Sequence, residues 1–167
     1  DRQIEELKQF NADALVYCVA ANDSSIEAYE RSYVTGIKNV LAQFQSDPLK
    51  RLVFVSSTRV FAEDTHSTVE EESTLAQSDA RAAILLAGEQ AAQEHSGTTV
   101  IARLSGIYGP GRTRTIDEAL GGAQSIPAVY TNRIHRDDAA GALHHLLAHP
   151  TPQSHYIVSD RAPSLRS

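Results

Sequence analysis

Residues 51–61, RLVFVSSTRVF, decide how the rest of the chain reads. Leu52, Val53, Phe54 and Val55 form a short unbroken run of β-branched and aromatic side chains, the pattern of a strand buried on both faces of a parallel sheet. Ser56, Ser57 and Thr58 then stand at its C-terminal end. In open α/β sheets that edge is where ligands bind, so three hydroxyls arriving there together are candidates for chemistry as well as for capping a turn.

Working outward, the same alternation of apolar runs and helical periodicity recurs. Ala14–Ala20, ALVYCVA, reads as a first buried strand with Cys18 inside it, where a lone thiol behaves as a small hydrophobe. Asp23, Ser24 and Ser25 offer caps to a helix that sets Ile26, Tyr29, Tyr33, Ile37, Val40, Leu41 and Phe44 on one face, and Asp47 and Pro48 end it. Upstream, Arg2–Phe10 reads as the end of another helix, with Ile4, Leu7 and Phe10 at helical spacing.

Beyond the central strand, EDTHSTVEEEST is an acidic, solvated rim. Asp79–Glu94 is rich in strong helix formers and stops at His95, Ser96 and Gly97. Thr99–Leu104 is a further apolar strand, and SGIYGPGR, Ser105–Arg112, is expected to be a tight loop at the same edge as Ser57. Thr115–Gly121 suits a short helix, Ala128–Ile134 an extended segment, and Asp137 or Asp138 opens a helix through Leu147. Tyr156–Val158 is a last short strand. Strands alternating with helices imply βαβ units, so the expected fold class is α/β, a Rossmann-like parallel sheet with flanking helices.

The 167 residues suffice for one domain with a real core, and no linker composition divides residues 1–167. A net charge of −6 and a pI near 5.6 argue against nucleic acid or an anionic membrane surface as partner. No apolar run approaches the ~20 residues of a membrane span, and the polar start DRQIEELKQ is no signal peptide, so a cytoplasmic protein is expected. His145 and His149 stand i, i+4 on one helix, with no carboxylate or cysteine placed as a third ligand, and no metal is expected.

Taken together, ADALVYCVAA, YVTGIKNVLAQF, RLVFVSSTRVF, a helix containing GEQA, VIARLSGIYGPGR and YTNRIHRDDAAGAL resemble the extended short-chain dehydrogenases, the NAD-dependent epimerase/dehydratase family. The likeness covers nearly the whole chain and is nearest to an atypical branch. It implies an NAD or NADP cofactor and a small-molecule substrate, nucleotide-sugar-like or another hydroxy or carbonyl compound, with association into a homo-oligomer left open. It also implies that a glycine-rich βαβ part, which cradles the cofactor pyrophosphate, is absent from this chain, since none of the nine glycines forms that fingerprint near the start.

Residue by residue, the resemblance puts Ser57 at the serine that hydrogen-bonds the reacting substrate oxygen. It sets Ala20 and Ala21 along the nicotinamide ribose, with Ser56, Ser105 and Gly106 also on the cofactor side. Thr58, Arg81, Asn132, Arg133 and His135 border the substrate, Arg133 as a clamp for a phosphate or carboxylate. Tyr108 is expected to tie its loop down through its hydroxyl.

One departure is sharp. The family's acid/base tyrosine and its lysine, counted back from Glu89, fall on Arg81 and Leu85. Arginine stays protonated and cannot accept a proton, and leucine can neither donate nor accept one. The primary expectation is therefore an NAD(P)-dependent oxidoreductase or epimerase-like enzyme with an altered acid. The alternatives are a dinucleotide-binding or redox-sensing protein without turnover, and a chain that binds no cofactor and associates through an exposed edge strand.

Overall fold

In a computed structural model of the chain, the structure describes residues 12–62, 68–76, 78–112 and 132–160. The helices expected over residues 2–10 and 115–121, residues 128–131 of the extended segment and residues 63–67 of the acidic rim lie outside them.

Four parallel strands form the main sheet in the order β1 (Ala14–Tyr17), β2 (Arg51–Ser57), β3 (Thr98–Leu104) and β6 (His155–Val158). The β2–β3 register runs from Arg51 opposite Thr98 to Ser57 opposite Leu104. This is the α/β Rossmann-like sheet that the alternating pattern calls for. A second, two-stranded parallel sheet pairs β4 (Gly106–Tyr108) with β5 (Arg133–His135).

The central strand is apolar throughout because it is covered twice. Successive side chains of a strand point to opposite faces, so Leu52 and Phe54 go one way and Val53 and Val55 the other. Leu52 and Phe54 join Tyr17, Ile37, Ala91, Ala92 and Ile101, and the Tyr17 and Phe54 rings stack at 5.6 Å. Val53 packs with Val100, Ala102 and Leu146, and Val55 with Leu104, Ile134 and Ala139.

The first layer is built by two helices. α1 (residues 26–41) begins with Ile26–Tyr29, widens into a π-helical turn over Glu30–Thr35 and closes as Gly36–Leu41, followed by a 3-10 turn at Ala42–Phe44. Ser25 caps it, its hydroxyl accepting from the Ala28 amide at 3.2 Å, while Asp23 accepts from the Ser25 amide at 2.7 Å. α2 (Ala80–Gln93) is capped by Asp79, whose Oδ1 accepts from the Arg81 and Ala82 amides. Gly88 lets α2 approach α1 closely, since a Cβ there would lie 2.5 Å from the Tyr33 carbonyl oxygen.

α3 (Arg136–Ala148) covers the other face. Its cap is the His135 ring, which accepts from the Asp137 amide at 3.3 Å. Asp137 and Asp138 sit in its first turn, where negative charge complements the helix dipole, rather than at the cap itself. At its far end Arg51 donates to the Leu146 and His149 carbonyls, both at 3.0 Å, and so satisfies two groups that have no intrahelical partner.

Two expectations need correction. β1 stops at Tyr17, and Cys18, Val19 and Ala20 are exposed, so the thiol is not a buried hydrophobe. Among the described residues β1 is an edge strand of the sheet, which removes the second neighbour that an unbroken apolar run suggests. The Ser105–Arg112 stretch is also not one loop: Gly106–Tyr108 pairs with a segment far away in sequence, and only Gly109–Arg112 turns tightly. Gly109 and Gly111 there take φ of 133° and 81°, which side chains rarely adopt.

Candidate functional site

The C-terminal ends of β2 and β3 deliver the hydroxyls. Ser57 closes β2 in extended conformation and caps a 3-10 turn at Thr58–Val60, its Oγ accepting from the Arg59 amide at 3.2 Å. A hydroxyl that accepts one bond retains its own hydrogen for a ligand. Thr58 lies half-buried beside it in the turn.

Ser56, one residue earlier, points into the first layer. Its Oγ donates to Glu89 Oε1 at 2.6 Å, and Glu89 receives Arg103 Nε at 3.1 Å and a second guanidinium nitrogen at 2.8 Å. Arg103 also reaches the Glu71 carbonyl at 3.4 Å and lies 5.1 Å from the Phe61 ring centroid, and the Glu71 carboxylate accepts from the Ile157 amide. The network crosses β2, α2, β3 and β6 directly beneath the ligand edge, and the Ser56 hydroxyl is engaged in it.

Ser105 follows β3 and is buried, its amide donating to the Val158 carbonyl at 3.0 Å. Among the described residues its hydroxyl has no hydrogen-bond partner. Gly106 is exposed next to it, its amide donating to the Asn132 carbonyl at 3.1 Å. The β4–β5 register sets Gly106 opposite Arg133 and Tyr108 opposite His135, which joins the two segments singled out in the sequence. The Arg133 side chain lies over Gly106, where a Cβ would come within 2.6 Å of its guanidinium.

His135 closes β5. Its amide donates to Asp160 Oδ2 at 3.1 Å, and its ring stands edge-on to Tyr108 at 5.3 Å. The Tyr108 hydroxyl donates to the same carboxylate oxygen at 3.2 Å, which pushes the phenol above its ordinary pKa. The hydroxyl thus ties β4 to the end of β6, in line with the structural role that its sequence context suggests.

Arg81 sits in the first turn of α2 and turns toward α1. Its Nε donates to the Ser24 carbonyl at 2.7 Å, and its guanidinium lies over the Tyr29 ring at 5.9 Å. Leu85 is buried. Ala20 and Ala21 follow β1, Ala20 exposed and Ala21 half-buried. Burial foremost, then the neighbouring Tyr29, raise the Tyr33 phenol above its usual value. The His145 and His149 rings meet edge-on at 5.3 Å, and among the described residues no three His, Cys, Asp or Glu side chains converge.

Glu89 and Arg103 escape a reading by periodicity alone. The signal for them was present: an arginine inside an otherwise apolar strand must find an opposite charge, and a glutamate on the alanine-rich face of α2 is that partner.

Comparison with known proteins bears on this edge. The model of the NAD dependent epimerase/dehydratase family matches residues 1–159. A structure described as an NAD-dependent epimerase/dehydratase from Methylobacillus flagellatus superposes with a TM-score of 0.81 at 35% identity, over 98% of this chain and 59% of that one. The UDP-N-acetylglucosamine 4-epimerase of Bacillus cereus gives 0.80 at 16% identity, over 98% of this chain and 63% of that one. The Bordetella bronchiseptica enzyme WbmG, in complex with NAD, gives 0.75 at 18% identity, over 93% and 53%. The last two support the fold alone. No curated protein matches the chain. The chain thus spans between about half and two thirds of the length of these structures.

Proposed function

The chain belongs to the NAD-dependent epimerase/dehydratase family, and from that premise we propose that the full protein is an NAD(P)-dependent oxidoreductase or epimerase-like enzyme acting on a small hydroxy or carbonyl compound. Residues 1–167 are on this reading one part of its dinucleotide-binding domain. The observation that carries it is the β2–β3 register, which pairs Ser57 with Leu104, so that Ser57 and Ser105 stand at one end of the sheet.

The residues present suit the nicotinamide end of such a cofactor. A buried serine hydroxyl that has no partner among the described residues, beside an exposed glycine, is a place where a polar ligand group would supply a hydrogen bond. Ser105, Gly106, Ala20 and Ala21 would hold that end, with Ser56 buttressing the edge through Glu89. When bound, the nicotinamide supplies or accepts a hydride.

Ser57 is the proposed catalytic hydroxyl: its free hydrogen orients and polarises the substrate oxygen. Thr58 stands beside it, and Asn132, Arg133 and His135 line the substrate side along β5, with Arg133 suited to an anionic group. A nucleotide sugar is the substrate class favoured, because the Bacillus cereus neighbour is named for one and a guanidinium clamp suits its diphosphate. Arg81, which the resemblance also sets at the substrate, is held by the Ser24 carbonyl over Tyr29 and is left out of the proposed substrate side. The acidic chain has no helix long and apolar enough to cross a membrane among its described residues, and a small molecule is the partner proposed.

A second reading, a dinucleotide sensor without turnover, is favoured by one observation: the two α2 positions that would hold the acid are Arg81, bound to Ser24, and buried Leu85. Ser57→Ala in the full-length protein separates the two. An enzyme loses turnover of UDP-sugars while its NADH affinity is retained, and a sensor is unchanged in both.

A further inference from the structure

β5 is only three residues long and, among the described residues, pairs with no strand but β4. Backbone groups of successive strand residues face opposite edges. The Gly106 amide donates to the Asn132 carbonyl, so Asn132 and Ile134 address β4, while the Arg133 carbonyl and the His135 amide face the other edge. Those two groups need partners of their own.

The two residues that follow β6 supply them. The Asp160 amide donates to the Arg133 carbonyl at 2.8 Å, and the Ser159 hydroxyl donates to the same oxygen at 3.2 Å. Asp160 Oδ2 accepts from the His135 amide at 3.1 Å and from the Tyr108 hydroxyl at 3.2 Å. One residue thus grips both ends of β5 and, through Tyr108, the strand that β5 pairs with. It fastens the small sheet to the end of β6, and hence to the main sheet.

What this fixes is the root of Arg133. The backbone is held at its carbonyl, and the side chain runs over Gly106, where a Cβ would come within 2.6 Å of the guanidinium and 3.2 Å of Cδ. A guanidinium recognises a phosphate through a fork of directional hydrogen bonds, so the strand that carries it must be held in place.

Resting on the substrate reading above, we propose that Asp160 is a positioning residue for substrate binding: it holds β5 so that Arg133 is presented over Gly106 to the anionic group of a nucleoside diphosphate. Asp160 acts through Arg133, because its carboxylate oxygen is already engaged by two donors of the chain.

The test is a double-mutant cycle in the full-length protein, with UDP as the probe and its affinity read by isothermal titration calorimetry. Arg133→Ala is expected to weaken UDP binding by about 10- to 100-fold, the scale of charge-assisted hydrogen bonds. Asp160→Ala is expected to weaken it by about five- to tenfold when Arg133 is present and not at all when Arg133 is already alanine. Asp160→Asn keeps an acceptor oxygen for His135 and Tyr108 and is expected to restore the affinity. If Asp160→Ala does not fold, Ser159→Ala takes its place in the cycle, with a smaller loss that likewise vanishes without Arg133. UDP binding with equal losses in both backgrounds, with no loss in either, or with no rescue by asparagine overturns this inference and leaves the substrate reading standing. No UDP binding to the unaltered protein overturns both.

Discussion

Glu89 and Arg103 meet at 2.8 Å between α2 and β3, each only 3% exposed, and Ser56 adds its hydroxyl to the same carboxylate. Two charges in the interior are tolerated because each satisfies the other, with Ser56 and the Glu71 carbonyl supplying further hydrogen bonds. Removing one partner leaves an uncompensated buried charge, so Glu89→Ala and Arg103→Ala are each expected to cost about 3–5 kcal/mol in urea unfolding. Ser56→Ala is expected to cost about 1 kcal/mol, since Glu89 keeps its arginine. Equal, small losses for all three would show that the pair contributes little.

Gly88 sits where α2 crosses the π-helical turn of α1. Alanine there would add about 1 kcal/mol of helix propensity, but its Cβ would lie 2.5 Å from the Tyr33 carbonyl oxygen and 3.1 Å from the Phe54 ring. Backbone cannot swing aside as a flexible side chain can, so overpacking dominates. Gly88→Ala is expected to destabilise the fold by about 1–3 kcal/mol, read as a lower melting temperature.

Tyr17 is buried against Phe54 and donates to the Ser32 carbonyl, and burial foremost, then Tyr33, pushes its phenol up to about 12. Because the folded state holds this proton more tightly than the unfolded chain, the stabilisation is complete below pH 10 and falls as pH rises from about 10 to about 12. The loss is on the order of 2 kcal/mol. Tyr17→Phe should flatten this alkaline decline in unfolding curves at successive pH values, and an unchanged slope would contradict it.

Much of this was legible in the residues. β2 announces itself by an uninterrupted apolar run and β3 by one broken only at Arg103, and Asp79 announces α2 because its carboxylate matches the free amides of a helix start. The pattern of ALVYCVA overruns β1, since it carries no mark of where the strand ends at Tyr17 and its residues meet water. β4 is hidden within a loop-like sequence because glycine and proline signal turns locally, while its pairing partner lies in another segment. The same non-locality hid how Arg133 covers Gly106 and how Arg81 turns away to Ser24. The π-helical turn Glu30–Thr35 has no sequence signature, yet Tyr33 within it still packs on the core as the face periodicity of α1 predicts.

On the proposed function, the edge framed by Ser57, Ser105 and Gly106 receives a nicotinamide dinucleotide. Fluorescence titration of the full-length protein with NADH and, separately, NADPH tests it most directly. The account predicts a saturable signal for at least one of them, displaced by the matching oxidised dinucleotide. No saturable signal for either would contradict it.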